Sequence, residues 1–146
     1  MRFNLKQCVM ATMLLCAVWC AEPLAQSEND LNDSLCHTIG GARETRHAFT
    51  YGDGQQGYVS VDCETEFFAI EGGLDKRSSL DSLQQALFFS VLTGKSPAVV
   101  IYDTDGKIGK YEHRIQVASE QAGVLFLRLC SGDTMDREWL EMVFGR

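Results

Sequence analysis

The stretch Val59–Lys76, VSVDCETEFFAIEGGLDK, constrains the chain most, because it reads as two short strands joined by a tight turn and followed by a glycine break into a helix. Period-two alternation puts Val59, Val61 and Cys63 on one face of the first strand and Ser60 and Asp62 on the other. In the second strand Phe67, Ala69 and Glu71 share one face and Phe68 and Ile70 the other, with Glu71 the last residue before Gly72-Gly73. Two carboxylates therefore sit near the ends of neighbouring strands. With Glu64-Thr65 as the turn, the hairpin is antiparallel and carries Asp62 and Glu71 toward different ends, so an offset register or a bulge is needed to unite them. United, they offer the oxygen ligands that a hard cation such as Mg²⁺ takes. Apart, they are solvated polar residues of a half-exposed hairpin.

The elements around this hairpin define the fold class. Upstream, Ser27–Ile39 carries Leu31, Leu35 and Ile39 at helical spacing and stops at Gly40-Gly41. Ala42–Tyr51 then alternates as a strand, with Arg43, Thr45, His47, Phe49 and Tyr51 on one face, and residues 52–57 form a turn by composition. Downstream, a helix spans Ser79–Thr93, capped by Ser78 or Ser79, with Leu80, Leu83, Leu87 and Val91 as its buried face and Gly94 at its end. Pro97–Tyr102, PAVVIY, is an unbroken apolar run, as a strand covered on both faces should be. Strand, helix and strand in succession imply a crossover and hence some parallel pairing. A helix over Lys110–Ala122, a strand over Val124–Leu129 and a last helix over Asp133–Phe144, with Trp139, Leu140 and Val143 inward, complete the reading. The expected fold class is α/β: a helix, a three-stranded meander, a helix, a strand, a helix and a strand around a mixed sheet.

At 146 residues the chain has room for one domain. Arg2 and Lys6, the apolar run Cys8–Cys20 and the small residues of Ala21–Ala25 follow the layout of a secretory signal peptide, and the run is too short for a comfortable membrane span. The expectation is a signal peptide over 1–25, a single domain over 26–146, no stable membrane span after cleavage, and an exported product, periplasmic or secreted. A cut after Cys20 is the alternative, and Trp19 before it argues against a lipid anchor. The net charge, −7 overall and −8 over 26–146, has the wrong sign for a general nucleic-acid binder, so any phosphate-binding groove must be local. Cys36, Cys63 and Cys130 remain after signal removal. Three cysteines leave one over, and either a bridge or buried small apolar residues would account for them.

Few other motifs carry chemistry. Asp103-Thr104-Asp105-Gly106 resembles the start of a calcium loop but lacks the later ligands and the closing glutamate, so it reads as a plain turn. His37, His47 and His113 have no zinc-site spacing, and there is neither a glycine-rich phosphate loop nor a Gly-x-Ser-x-Gly elbow. Cys130 with His113 is the one nucleophile pair to nominate, and Cys130 simply ends an apolar strand.

Five local strings in register resemble small members of the PD-(D/E)XK, or restriction-endonuclease-like, superfamily. They are Gly40-Gly41-Ala42-Arg43-Glu44, Val61-Asp62-Cys63-Glu64-Thr65, Ala69-Ile70-Glu71, Gln85-Ala86-Leu87-Phe88-Phe89, and Thr93-Gly94-Lys95 with Pro97 before an apolar strand. The resemblance implies that Asp62 is the metal-binding aspartate, Glu71 the second acid, Glu44 the extra glutamate of some members, and Gln85 the glutamine of resolvase-like members. It implies hydrolysis of phosphodiester bonds in DNA with Mg²⁺ or Mn²⁺. The motif's lysine is missing, since Gly73 stands two residues after Glu71; Lys76 or Arg77 would have to replace it. Lys76, Arg77, Lys95, Lys107 and Lys110 gathered around the acids would supply the basic patch for DNA. A site that has lost its chemistry would instead leave an exported module binding a protein partner.

Overall fold

The computed structural model describes residues 26–76, 80–130 and 136–145. The elements in order are α1 (Glu28–Thr38), β1 (Ala42–Tyr51), β2 (Gln55–Glu64), β3 (Phe68–Leu74), α2 (Leu80–Thr93), β4 (Ser96–Asp103), α3 (Lys110–Ala122), β5 (Leu125–Cys130) and α4 (Arg137–Phe144). They form the expected α/β arrangement, with one five-stranded mixed sheet in the order β1-β2-β3-β4-β5. The first three strands make an antiparallel meander, and β3, β4 and β5 run parallel.

The centre of the sheet is β4, buried from Ala98 to Asp103. Its alternation splits it between two cores. Ala98, Val100 and Tyr102 pack with Leu31, Leu35 and Cys36 of α1 and Leu140 and Phe144 of α4, while Val99 and Ile101 pack with Ala86 of α2 and Ile115 of α3. A strand with a helix layer on each side can be apolar at every position, which is what PAVVIY encodes. α1 begins with a capping box, in which the Ser27 hydroxyl accepts the Asp30 N–H at 3.2 Å and the Asp30 carboxylate accepts the Ser27 N–H at 3.2 Å.

Several expectations are corrected. β2 starts at Gln55, so residues 55–57 are strand rather than turn. Gly72 and Gly73 do not break β3; they pair with Val100 and Ile101 of β4 and carry the strand on to Leu74. α2 buries Ser82, Ala86 and Phe89, with Leu83 partly buried, while Leu80, Leu87 and Val91 are exposed, Val91 at 81 %. Apolar residues surround α2 almost completely, so its sequence does not say which stripe faces the sheet. The proposed caps Ser78 and Ser79 lie outside the described residues. In α4, whose cap is Asp136, Leu140 and Phe144 point inward with Val143 partly buried, and Trp139 is 39 % exposed; residues 133–135 lie outside the described residues.

Candidate functional site

The β2–β3 hairpin turns later than its sequence suggests. Its ladder pairs Cys63 with Ile70 and Glu64 with Ala69, which centres the turn on Glu66 and Phe67 instead of Glu64-Thr65. The Thr65 hydroxyl builds that turn by accepting the N–H groups of Phe67 and Phe68 at 3.3 and 3.0 Å. This register sets Asp62 beside Glu71, correcting the expectation that they lie toward different ends. At that rung side chains take over from the ladder: the Asp62 N–H donates to Glu71 Oε1 at 3.3 Å, and the Gly72 N–H donates to Asp62 Oδ2 at 3.0 Å.

On the other side of Asp62 stands Glu44, the one non-glycine with positive φ (51°) among the described residues, on the rung between the pairs Arg43↔Cys63 and Thr45↔Val61. Both strands change face there. Arg43 reaches α1 through the Asn29 carbonyl and Asp33, whereas Phe49, farther along β1, packs edge-on against Phe88 of α2. Val61 packs with Phe89 of α2, whereas Cys63 is disulfide-bonded to Cys36 of α1. The expected grouping of Arg43 with Thr45, His47 and Phe49, and of Cys63 with the valines, therefore fails at this rung. A left-handed glutamate is a strained conformation, and the strain is spent at the acidic rung.

Electrostatics follow from this packing. Glu71 is 2 % exposed. Burial, then the charge of Asp62, push its carboxyl up to about 9, with Glu44 and Glu28 adding to the rise and the Asp62 N–H opposing it. Burial also raises Asp62, against the Gly72 N–H and with Glu44 and Glu28 contributing. Glu28, the first residue of α1, is thus an acid of this neighbourhood that sequence reasoning missed, since nothing in the sequence shows where that helix end lands. Asn32 of α1 donates its amide to Asp62 Oδ2 at 3.0 Å, and the Tyr102 hydroxyl donates to Asn32 Oδ1 at 2.8 Å.

The remaining nominated residues are farther out. Gln85 is exposed on α2 and lines a pocket with Gln84, Phe88, Phe89, Val59 and Ser60, beside the part of β2 that β3 does not pair with. Lys76 is exposed in the turn after β3, and Arg77 lies outside the described residues. Gly73 is buried within β3. Lys95 does not join the acids Asp62 and Glu71; its ammonium binds Glu64 Oε1 at 2.7 Å and the Thr65 carbonyl. Glu64 also accepts from Thr45 at 2.5 Å and contacts His47 Nε2 at 2.6 Å. Burial alone would raise Glu64, but the hydrogen bonds from Lys95, Thr45 and His47 outweigh it and hold the carboxyl at about 2. Lys107 and Lys110 lie past the opposite end of β4 from Lys95, about 26 Å of strand away.

Among the described residues the carboxylates that converge as a group of three are not Asp62, Glu71 and Glu44, the last of which is paired with Arg43 at 3.2 Å, but a set that was not foreseen. Asp75 after β3, Asp103 at the end of β4 and Asp105 after it bring carboxylate oxygens within 4.8 Å of one another, close enough to hold a metal ion. Asp103 and Asp105 belong to the segment read as a plain turn, and that turn is present: Asp103 Oδ1 accepts the N–H groups of Asp105 and Gly106 at 3.1 and 2.9 Å. The third acid comes from another strand, which local spacing cannot reveal. Asp103 Oδ2 is also paired with Arg128 at 2.5 Å, and Arg128 binds Glu112 at 2.8 Å. Burial raises the Asp103 carboxyl, yet the backbone N–H donors and Arg128 leave it below the usual carboxylate range.

The Cys36–Cys63 disulfide points to an oxidising, extracytoplasmic location. Cys130 takes no part in it. No helix among the described residues is long and apolar enough to cross a membrane, and the proposed signal region, 1–25, lies outside them. Comparisons with protein-family models, with curated proteins and with solved structures give no match for this chain.

Proposed function

We propose that this protein is an exported, metal-dependent phosphodiesterase of the nuclease-like type, acting on DNA with Mg²⁺ or Mn²⁺. The observation that carries the reading is the meeting of Asp62 and Glu71 where the β2–β3 ladder gives way to side chains, with a buried Glu71 whose proton a cation would displace. Asp62 and Glu71 would present the oxygens, and Glu44, paired with Arg43 in the metal-free protein, would have to turn in to join them. A divalent cation bound there supplies Lewis acidity and lowers the pKa of a coordinated water. Lys76, exposed in the turn after β3, would be the cation to take the part of the missing lysine, orienting or deprotonating a water or facing the charge on a phosphate. Lys76, Lys107 and Lys110 follow the carboxyl ends of adjacent parallel strands and would supply the local patch for the DNA backbone, and Gln85 would contact the substrate. A cleaved signal over 1–25, delivering the domain to the periplasm or the medium, agrees with the disulfide.

Cleavage of single- and double-stranded DNA in Mg²⁺ or Mn²⁺, beside an Asp62→Ala/Glu71→Ala double variant, tests this. Metal-dependent cleavage lost in the double variant is expected. One observation favours a second reading: the lysine position is Gly73, inside buried strand. Folded wild-type protein that cleaves neither substrate with either metal would assign the fold to a non-catalytic, protein-binding module.

A further inference from the structure

We propose that Asn32 is a positioning residue of the Asp62 site, steadied by the Tyr102 hydroxyl, and that its amide holds one oxygen of Asp62 so that the other is left for a cation. This deepens the metal-site reading and rests on it.

Asn32 is 3 % exposed and reaches from α1 into the gap beside β3. A Cβ at Gly72 would lie 1.9 Å from Asn32 Oδ1, so glycine at that position makes the room that the amide occupies. An amide has one accepting and one donating end, and here they are not interchangeable. Asp62 Oδ2 already accepts the Gly72 N–H at 3.0 Å, so the group facing it from Asn32 must be the NH₂, which it meets at 3.0 Å. Asn32 Oδ1 then faces the phenol, and Tyr102 must donate, at 2.8 Å. The chain of donors runs in one direction, from Tyr102 to Asn32 to Asp62. Asp62 Oδ2 is held by two N–H groups, one from the backbone of β3 and one from α1, which restrains the carboxylate and makes Oδ1 the oxygen that a cation would take. Groups that orient a ligating carboxylate in this way change metal affinity when removed, without touching the metal.

The test is Mn²⁺ binding by titration calorimetry across pH, with wild type, Asp62→Ala, Asn32→Leu and Tyr102→Phe. Asn32→Leu keeps the volume and deletes the donor; it should weaken Mn²⁺ binding about ten- to a hundredfold and move the pH midpoint of binding upward, because Asp62 loses a hydrogen bond that favours its ionised form. Tyr102→Phe should weaken binding in the same direction by a smaller factor, since Asn32 Oδ1 then loses its donor and the amide is held from the Asp62 end alone. It also carries the test if Asn32→Leu does not fold. Mn²⁺ binding abolished by Asp62→Ala but unchanged in affinity and pH midpoint in the folded Asn32 or Tyr102 variant overturns the positioning role alone. Binding that survives Asp62→Ala overturns the site reading and this inference together.

Discussion

Asp62 and Glu71 are joined through backbone and side chain at once, the Asp62 N–H donating to Glu71 Oε1 at 3.3 Å while the N–H of the next residue, Gly72, donates to Asp62 Oδ2 at 3.0 Å. Each carboxylate stands where a strand partner would, so the two acids are spacers of the sheet as well as a candidate ligand pair. Opposite them, Glu44 holds a left-handed conformation that glutamate adopts only under constraint.

Relieving that constraint gives the first prediction. Glu44→Gly should raise the stability of the metal-free protein by about 1 kcal/mol, because glycine adopts this conformation freely and one of the charges crowding Asp62 is removed. Urea denaturation checks it. The same variant should show a smaller stabilisation by Mn²⁺ than wild type, and a lower stability in the absence of metal would mean that Glu44 supports the fold rather than straining it.

Glu71 sets the alkaline limb. Its folded pKa of about 9 lies above the ordinary value of 4.5, so the folded state holds a proton that the unfolded state releases. Stability from this group is fully present below pH 4.5 and is lost as pH rises through 9. The melting temperature of metal-free protein should therefore fall between those limits, and Glu71→Gln should flatten the fall. Over pH 7 to 9 metal affinity should rise by up to about tenfold per pH unit, since binding expels the proton. A flat profile in metal-free wild type would place Glu71 in contact with water.

The order of elements was legible because PAVVIY, the Gly40-Gly41 stop and the alternation of Ala42–Tyr51 each admit one kind of element. The site was legible only as residues. Asp62 and Glu71 could be named from their strand-end positions, but their meeting depends on a turn two residues farther along, set by the Thr65 hydroxyl. Gly72-Gly73 looked like a break because glycine has low strand preference; the glycine at 72 answers to the Asn32 amide instead. The face change at Glu44 was hidden because period two assumes regular backbone at every residue. Asp75 joining Asp103 and Asp105 is a tertiary event with no local signature.

Glu64 governs the acid limb with the opposite sign. Its carboxyl, held at about 2 by Lys95, Thr45 and His47 against the cost of burial, contributes stability above its ordinary value of 4.5 that is lost as pH falls toward 2. Glu64→Gln should cost about 1–3 kcal/mol at pH 7 and reduce the loss on acidification. Equilibrium denaturation of both proteins at pH 7 and pH 3 checks it, with equal acid sensitivity as the contrary result.

The disulfide joins α1 to β2 one residue past Asp62 and one helical turn past Asn32, across a sequence separation of 27. Chain-entropy arguments for a loop of that length give about 3.5 kcal/mol of stabilisation. A Cys36→Ala/Cys63→Ala variant should lose roughly that amount in urea denaturation, by the same relation. Gly41, whose Cβ would fall 2.6 Å from the Cys63 sulfur, leaves little room for larger replacements, so alanine is the substitution of choice.

Two carboxylate groups compete to explain any effect of a divalent cation, and their electrostatics separate them. Asp103 is already paired with the Arg128 guanidinium, so a cation gains little further charge compensation there. Asp62 and Glu71 face Glu44 and Glu28, and burial and like charge raise both of their carboxyls. A cation should therefore stabilise the protein mainly through the first pair. At a hundredfold excess over its dissociation constant Mn²⁺ should add about 2.7 kcal/mol, visible as a higher melting temperature at pH 8. Asp62→Asn should remove most of that shift, whereas Asp75→Asn, which takes from the other group the acid that follows β3, should leave most of it. The reverse pattern would move the cation to Asp75, Asp103 and Asp105, at the carboxyl ends of the parallel strands, and leave Asp62 and Glu71 as structural spacers of the sheet.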